Sequence, residues 1–179
     1  GVDAHIIAER TSPDITSDRA AAFFHPYGFS TSGELRAWCS ASYRLFAALE
    51  SVPEAGVRQV RLREFHHEAP AEPPWWSSIV RDFEQITTPP APFAVEFRAS
   101  MPTIDMRRYL PWLTDRFTRE LGGTISLARV DDLDDPKLRE ADVVVNCTGL
   151  GARPLTGDPH LIGIRGQVLH VKNTIGLTD

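Results

Sequence analysis

The stretch with the clearest chemical potential follows a run of three valines at residues 143–145 and has the sequence Asn-Cys-Thr-Gly at 146–149. A β-branched run without alternating polar residues is typical of a strand buried on both faces. In open α/β sheets, ligands bind outside the carboxyl ends of parallel strands, and glycine allows a close approach of the backbone. The turn is therefore a candidate for cofactor contact. An ordinary core strand with a tight turn has the same pattern, and this stretch alone favours that simpler interpretation.

A second candidate lies near the start of the chain. Residues 2–8 predict a short buried strand, and Glu9 comes directly after it. In dinucleotide-binding βαβ units, an acidic residue at the end of the second strand accepts hydrogen bonds from ribose hydroxyls. No Gly-x-Gly-x-x-Gly turn occurs in the 179 residues, so spacing alone favours a solvated loop carboxylate for Glu9.

The long polar connection after Glu9 offers donors for an anion. Thr16 and Ser17 carry hydroxyl and backbone N–H groups that suit pyrophosphate oxygens. We expect Asp18 to cap a short helix through residues 20–23, whose N-terminus would also favour an anion. Loops of this length in compact domains are usually functional or mobile.

Other titratable clusters do not have the spacing of a metal or catalytic site. His66 and His67 are adjacent, and neighbours on a strand point to opposite faces, so they do not converge on one ion. The acidic run at 131–135 lacks the central glycine and terminal glutamate of a calcium loop. No Ser/His/Asp set, paired carboxylates or cysteine nucleophile stands out, and we predict no metal site.

The hydrophobic periodicity predicts the elements that would position these residues. The segments at 57–65 and 92–98 are expected to form an antiparallel sheet with one wet face. Pro111 should kink its helix or mark the first turn, and Gly122-Gly123 should end that helix. Strands are predicted at 2–8, 57–65, 92–98, 125–130 and 143–149, and helices at 34–49 and 103–121.

Composition limits the class of partner. A chain of 179 residues with 42% hydrophobic and 24% charged residues is typical of a soluble globular domain. A net charge of −5 argues against a general nucleic-acid or anionic-membrane binder. No apolar run reaches membrane-spanning length, and the two cysteines, far apart in apolar contexts, are expected to be reduced thiols.

Residues 9–27 resemble the flavin-contacting segment of the FAD-dependent D-amino-acid oxidase family, which includes D-aspartate oxidases. The shared pattern is an acidic residue and arginine, a Thr/Ser cluster before aspartate, small residues, two apolar residues and a Pro-Tyr pair. The segments at 145–149 and 165–168 resemble two further blocks of the family, in the same order. The resemblance implies an FAD site built from Glu9, Arg10, Thr16, Ser17, Ala22, Phe23, Val130, Thr148 and Gly149.

Two positions of the flavin-contacting segment depart from the family pattern. Ala22 stands where glycine is common, and His25 stands where glutamine is often found. The resemblance implies that His25 either hydrogen-bonds near the substrate or satisfies a loop carbonyl. No catalytic residue is expected in this chain, because the substrate-binding Arg and Tyr side chains of the family come from a later part.

The resemblance implies an α/β fold with a partial FAD-binding Rossmann-like domain and part of an antiparallel-sheet substrate domain. The FAD-binding domain would be discontinuous, over residues 1–53 and 122–163, without its first βα unit. The substrate domain would be incomplete, over residues 54–121 and 164–179.

The implied activity is oxidative deamination of a D-amino acid, giving an imine, then a 2-oxo acid, with hydrogen peroxide. A glycine or sarcosine oxidase type of enzyme and a non-catalytic remnant of the fold are the alternatives. We expect the chain to be the central portion of a longer enzyme, inactive alone, which forms a homodimer or pairs with the remaining segments. The expected location is the cytoplasm, or the peroxisome in a eukaryote.

Overall fold

The computed structural model describes residues 2–26, 33–167, 172 and 174 of the chain. These residues form a mixed α/β fold with one parallel and one antiparallel sheet, which confirms the predicted fold class. Among them, no helix combines the length and apolar character needed to cross a bilayer. The elements are β1 (His5–Ala8), α1 (Gly33–Leu49), β2 (Val57–His66), β3 (Arg81–Ile86), β4 (Val95–Ile104), α2 (Met106–Asp115), β5 (Thr124–Leu127) and α3 (Ala152–Thr156).

The antiparallel sheet has the order β2-β4-β3 and contains the main core. β2 pairs with β4 along its whole length, from Val57 opposite Ile104 to His66 opposite Val95. Side chains two residues apart share a face of a strand, so the alternate apolar residues of β4 all point to one side. These residues pack with Trp76, and each is no more than 2% exposed: Val95, Phe97, Ala99 and Met101.

Helix α1 lies against the same sheet. Tyr43, 2% exposed, donates from Oη to the carbonyl of Ser100 at 3.0 Å and accepts from the backbone N–H of Arg81 at 3.0 Å. One buried hydroxyl thus ties the helix to β4 and to the start of β3. A second core cluster, made of Leu49, Ala55, Val57 and Ile104, extends the packing towards α2.

The parallel sheet is a pair, β1 beside β5, in register from His5 opposite Thr124 to Ala8 opposite Leu127. Its apolar side chains are poorly covered by the described residues: Ile6 is 43% and Leu127 is 69% exposed. Helix α2 leads into β5 and continues as a π-helical turn over Arg116–Glu120. Asp105 caps α2 by accepting from the backbone N–H of Arg107 at 3.1 Å.

The predicted strand at 143–149 is wrong. Val143 and Val145 are 77% and 76% exposed, and the segment pairs with no described strand. The pattern predicted burial on both faces, but a parallel strand acquires its hydrogen bonds and its cover from neighbours. Among the described residues, no element provides them for this run.

The helix predicted at 20–23 is also wrong. Asp18 instead lies inside a 3-10 turn at Thr16–Arg19, and Phe23 forms an isolated antiparallel bridge with Thr103. Ala22 has a φ of +48°, which is incompatible with a right-handed helix. The pairing with β4 therefore overrides the local preference of the alanine-rich sequence.

Further differences concern the sheet and its ends. β4 continues through Ile104, so α2 begins at Met106 rather than at residue 103, and β3 was not predicted. Its pairing with β4 has an irregularity between Arg81 and Glu84, which breaks the alternation that sequence patterns detect. Tyr27 and Val168, which belong to the resemblance, lie outside the described residues.

Candidate cofactor-binding site

The carboxyl ends of β1 and β5 meet at one edge of the parallel sheet. The N–H of Ala128 donates to the carbonyl of Ala8 at 2.9 Å, which keeps the two chains together one residue past the strands. Glu9 leaves one strand and Arg129-Val130 leaves the other. Arg129 Nη1 lies 3.9 Å from Glu9 Oε1, so Glu9 and Val130 occupy the same edge. This is the part of an open parallel sheet where ligands bind.

Arg129 organises the charge at this edge. Its Nε donates to Asp131 Oδ1 at 2.5 Å, and this hydrogen bond is the main reason that the pKa of Arg129 is raised. Glu9 adds a smaller attraction in the same direction. The Glu9 side chain is 56% exposed, so its carboxylate remains accessible to a hydroxyl-bearing ligand.

The loop after Glu9 is shaped by Asp18. Its carboxylate accepts from Ser12 Oγ at 2.5 Å and from the backbone N–H of Ile15 at 2.9 Å. The pKa of Asp18 is lowered, first by the hydrogen bond from Ser12 and then, against some desolvation, by the bond from Ile15. The ionised form therefore closes the loop on itself and presents the turn that contains Thr16 and Ser17.

This closed loop forms a cationic cavity of about 520 Å³. Two guanidinium groups and the Thr16 hydroxyl supply donors, which suit a phosphate or pyrophosphate. Ser17 lies in the same turn, outside the lining. The lining residues are Arg10, Asp14, Ile15, Thr16 and Arg19.

A second cavity, of about 640 Å³, separates the same loop from helix α2 and β5. It has mixed polar and apolar walls, and Arg19 lines both cavities. Its lining is Thr11, Ser12, Pro13, Asp18, Arg19, Arg107, Pro111, Thr114, Asp115, Ile125 and Leu127. The loop 10–19 thus contributes to the lining of both cavities.

Residues 22–24 add to β4 beyond the start of β3. The N–H of Phe24 donates to the carbonyl of Pro102, and the N–H of Ile104 donates to the carbonyl of Ala22, each at 2.9 Å. Ala22 sits at φ +48°, a left-handed conformation that glycine adopts without strain. The structure therefore accounts for the family's frequent glycine at this position.

His25, the predicted substrate-proximal residue, reaches β2. Its Nε2 lies 3.3 Å from Glu64 Oε2, and its ring stands edge-on to Trp76 with 5.4 Å between centroids. The side chain of His25 is 21% exposed.

The Thr148 turn is built from local contacts. Asn146 Oδ1 accepts from the backbone N–H of Thr148 at 3.1 Å and from its hydroxyl at 2.8 Å. Gly149 follows with φ +58° and opens a 3-10 turn that ends at Gly151. Thr148 and Gly149 line neither of the two cavities. The structure thus places Glu9 and Val130 at one sheet edge and Arg10 and Thr16 in one cavity lining, and Thr148 and Gly149 belong to neither cavity.

The sequence model of the FAD dependent oxidoreductase family (DAO) matches residues 1–178, almost the whole chain. The chain belongs to this family. The D-amino-acid oxidase of Rubrobacter xylanophilus is 35% identical over 97% of this chain and 53% of its own length. Human D-aspartate oxidase is 32% identical over 93% and 51%, and the D-amino-acid oxidase of Streptomyces coelicolor is 34% identical over 93% and 49%. The chain spans about half the length of these relatives.

The donor set fits the nucleotide part of FAD, the cofactor in the name of the DAO family. A carboxylate at the end of β1 suits ribose hydroxyls, and the cavity with two arginines suits the pyrophosphate.

Sequence reasoning missed Arg19, Arg129 and Glu64. In the sequence, Arg19 and Arg129 are single cations near a carboxylate, and that pattern does not indicate a site. Glu64 could not be found from the sequence, because only the fold brings it to His25.

Proposed function

We propose that this chain forms the central part of a DAO-family enzyme that uses FAD to oxidise D-amino acids. The observation that carries the proposal is the shared edge of β1 and β5, where Glu9 lies beside Arg129, the residue before Val130, and the cationic loop follows Glu9 in the chain. The names of the relatives, D-amino-acid oxidase and D-aspartate oxidase, support the substrate class.

Each part of the site has a proposed role in holding FAD. Glu9 accepts hydrogen bonds from the ribose of the adenosine, and the backbone at Val130 packs against the adenine. Arg10, Thr16 and Ser17 hold the pyrophosphate, together with Arg19, which the cavity adds to the set. When bound, FAD supplies the hydride acceptor for the reaction.

The segment 22–25 has a proposed role at the other end of the cofactor. The backbone of Ala22 and Phe23 faces the flavin ring, and β4 fixes that backbone through two hydrogen bonds. His25 then lies on the substrate side, against Trp76. In such an enzyme the protein mainly orients the substrate and excludes water, since the cofactor carries the chemistry.

We place Thr148 and Gly149 at the same site in the complete protein. Neither residue lines either cavity, and the valine run at 143–145 that precedes them is exposed among the described residues. If that run joins the parallel sheet, its carboxyl end comes to the edge that holds Glu9.

We also propose two domains. Residues 1–53 and 122–163 bind FAD, and residues 54–121 and 164–179 belong to the substrate domain.

The proposed partner is a small D-amino acid, without nucleic acid or membrane. The protein acts as a homodimer or through pairing of this chain with the remaining segments of the enzyme. Its proposed location is the cytoplasm, or the peroxisome in a eukaryote. The net charge of −5 supports the exclusion of nucleic acid.

Two measurements test the proposed function in the full protein. The first is the visible absorbance of the protein after addition of FAD, because a bound flavin gives a yellow complex that survives gel filtration. The second is peroxide release with D-alanine, D-aspartate, glycine and sarcosine as substrates. Turnover of the D-amino acids supports the proposal, a preference for glycine or sarcosine favours the alternative enzyme, and a colourless inactive protein identifies a non-catalytic remnant.

A further inference from the structure

Three titratable side chains meet on the core face of β2. One imidazole lies beside each carboxylate oxygen of Glu64: Oε2 is 3.3 Å from His25 Nε2, and Oε1 is 3.1 Å from His66 Nε2. Glu64 is paired across the sheet with Phe97, which is 2% exposed, so this carboxylate borders the main core. The two imidazoles come from different parts of the chain, one from β2 and one from the segment 22–25.

The cluster rests on aromatic rings. His25 stands edge-on to Trp76 with 5.4 Å between centroids, and His66 lies 5.1 Å from Phe97. Glu64 Oε2 and His66 Nε2 are buried, and neither makes a hydrogen bond of normal geometry with a described residue. Polar groups in such surroundings need partners, and polar contacts that are poorly aligned in a ligand-free site often tighten when the ligand binds.

The cluster is connected to the segment proposed to face the flavin. That segment is fixed at residues 22–24 by two backbone hydrogen bonds to β4, as described above. One residue further on, the His25 side chain contacts β2 through Glu64. The segment is therefore held by main chain at one end and by a charged side chain at the other.

We propose that Glu64 is a positioning residue for the substrate side of the site. Glu64 holds the His25 imidazole against Trp76, and His66 holds Glu64 in turn. This assignment rests on the proposed function, because it takes Ala22 and Phe23 to face the flavin. It makes Glu64 a determinant of substrate binding that has no contact with the cofactor.

The test combines kinetics with the signals of the imidazole nitrogens. In the FAD-loaded protein, we expect Glu64→Gln to raise KM for D-alanine and D-aspartate about tenfold or more, since misplacement by about 1 Å is costly. The Kd for FAD should stay unchanged, and kcat should change by less than about threefold, as expected for lost substrate binding. The ¹⁵N resonances of the His25 ring should shift in the same variant.

Two further variants keep the test decisive. His66→Gln retains an N–H donor at a similar reach and should give a smaller rise in KM. Glu84→Gln is the matched control, because Glu84 is a β3 carboxylate that is 50% exposed and ion-paired with Arg61 at 2.9 Å. The KM of Glu84→Gln should equal that of the parent protein. An unchanged KM in Glu64→Gln, or an equal rise in Glu84→Gln, overturns the assignment.

The outcomes also separate this assignment from the proposed function. If the parent protein binds no FAD and releases no peroxide, the proposed function fails. The NMR measurement then decides about Glu64 on its own, because it requires no cofactor. A shifted His25 resonance in Glu64→Gln supports the part of the assignment in which Glu64 holds the His25 ring, and an unshifted one overturns it.

Discussion

The two sheets of this chain differ in how well the described residues cover them. In the antiparallel sheet, the inward side chains of β4 are at most 2% exposed, and α1 and the Trp76 turn pack on the same unit. In the parallel pair, Leu127 is 69% exposed, and the valine run at 143–145 lies outside any sheet. Stability therefore resides in the first unit, whereas the candidate FAD contacts at Glu9 and Val130 lie on the second.

The largest expected effect on stability comes from removing a large side chain from the core of the antiparallel sheet. Phe97→Ala should lower the free energy of unfolding by about 3–5 kcal/mol, because it leaves a cavity among Trp76, Phe83 and Met101. Chemical denaturation measures this change. Leu127→Ala on the parallel pair is the control, and its effect should stay within about 0.5 kcal/mol, as for exposed positions. Equal losses in the two variants would remove the contrast between the sheets.

A smaller effect is expected from the charge network on the other face of β4. Glu96 is fully buried, and it accepts from Arg98 Nε at 2.7 Å and from Arg63 Nε at 2.5 Å. These two hydrogen bonds, Arg98 first, lower the pKa of Glu96 from 4.5 to about 2. Because the folded pKa lies below the ordinary value, ionised Glu96 stabilises the fold above pH 4.5, and that contribution is lost as the pH falls towards 2.

The pH dependence of unfolding checks this network. Between pH 4.5 and 2, the parent protein should lose stability more steeply than Glu96→Gln, which has no carboxylate to protonate at this site. The effect is smaller than that of Phe97→Ala because the side chains of Arg63 and Arg98 are 50% and 33% exposed, so water can rehydrate them. If the free energy of unfolding falls equally with pH in the two proteins, ionised Glu96 contributes nothing to stability.

The smallest effect concerns the segment that joins the two units. Ala22→Gly should stabilise the fold by about 1 kcal/mol, because alanine at φ +48° pays a steric cost that glycine does not. Thermal unfolding measures the change. Ala21→Gly serves as the neighbouring control, where added backbone entropy should give a loss of about 0.5–1 kcal/mol. A lower stability of Ala22→Gly than of the parent protein would contradict the steric cost assigned to alanine at this position.

The antiparallel unit was the more predictable part of the fold. The strand predicted at 92–98 and the helix predicted at 34–49 each correspond to an observed element, β4 and α1. The pattern sufficed because both elements bury their apolar faces within this chain. β3 was not predicted, because its register shift near Asp82, at φ +53°, interrupts the alternation of polar and apolar residues.

The candidate site was predictable in its chemistry but less so in its geometry. Glu9 does follow a strand, and Thr16 does open a turn, as their residue types indicated. Local rules failed at residues 20–23, where pairing with Thr103 replaces the expected helix, and at 143–145, where β propensity requires neighbours to become a strand. Long-range contacts such as that between His25 and Glu64 have no local signature.

The most direct test of the central claim, that the loop after β1 holds FAD, is the Kd for FAD measured by flavin fluorescence in the full protein. Arg10→Met removes one of the two cations of the loop cavity and should weaken FAD binding about tenfold or more, as expected for a charge-assisted hydrogen bond. The matched variant Arg116→Met removes a cation at the end of α2, which lines neither cavity, and should leave the Kd unchanged. Equal Kd values for the parent protein and Arg10→Met would contradict the account.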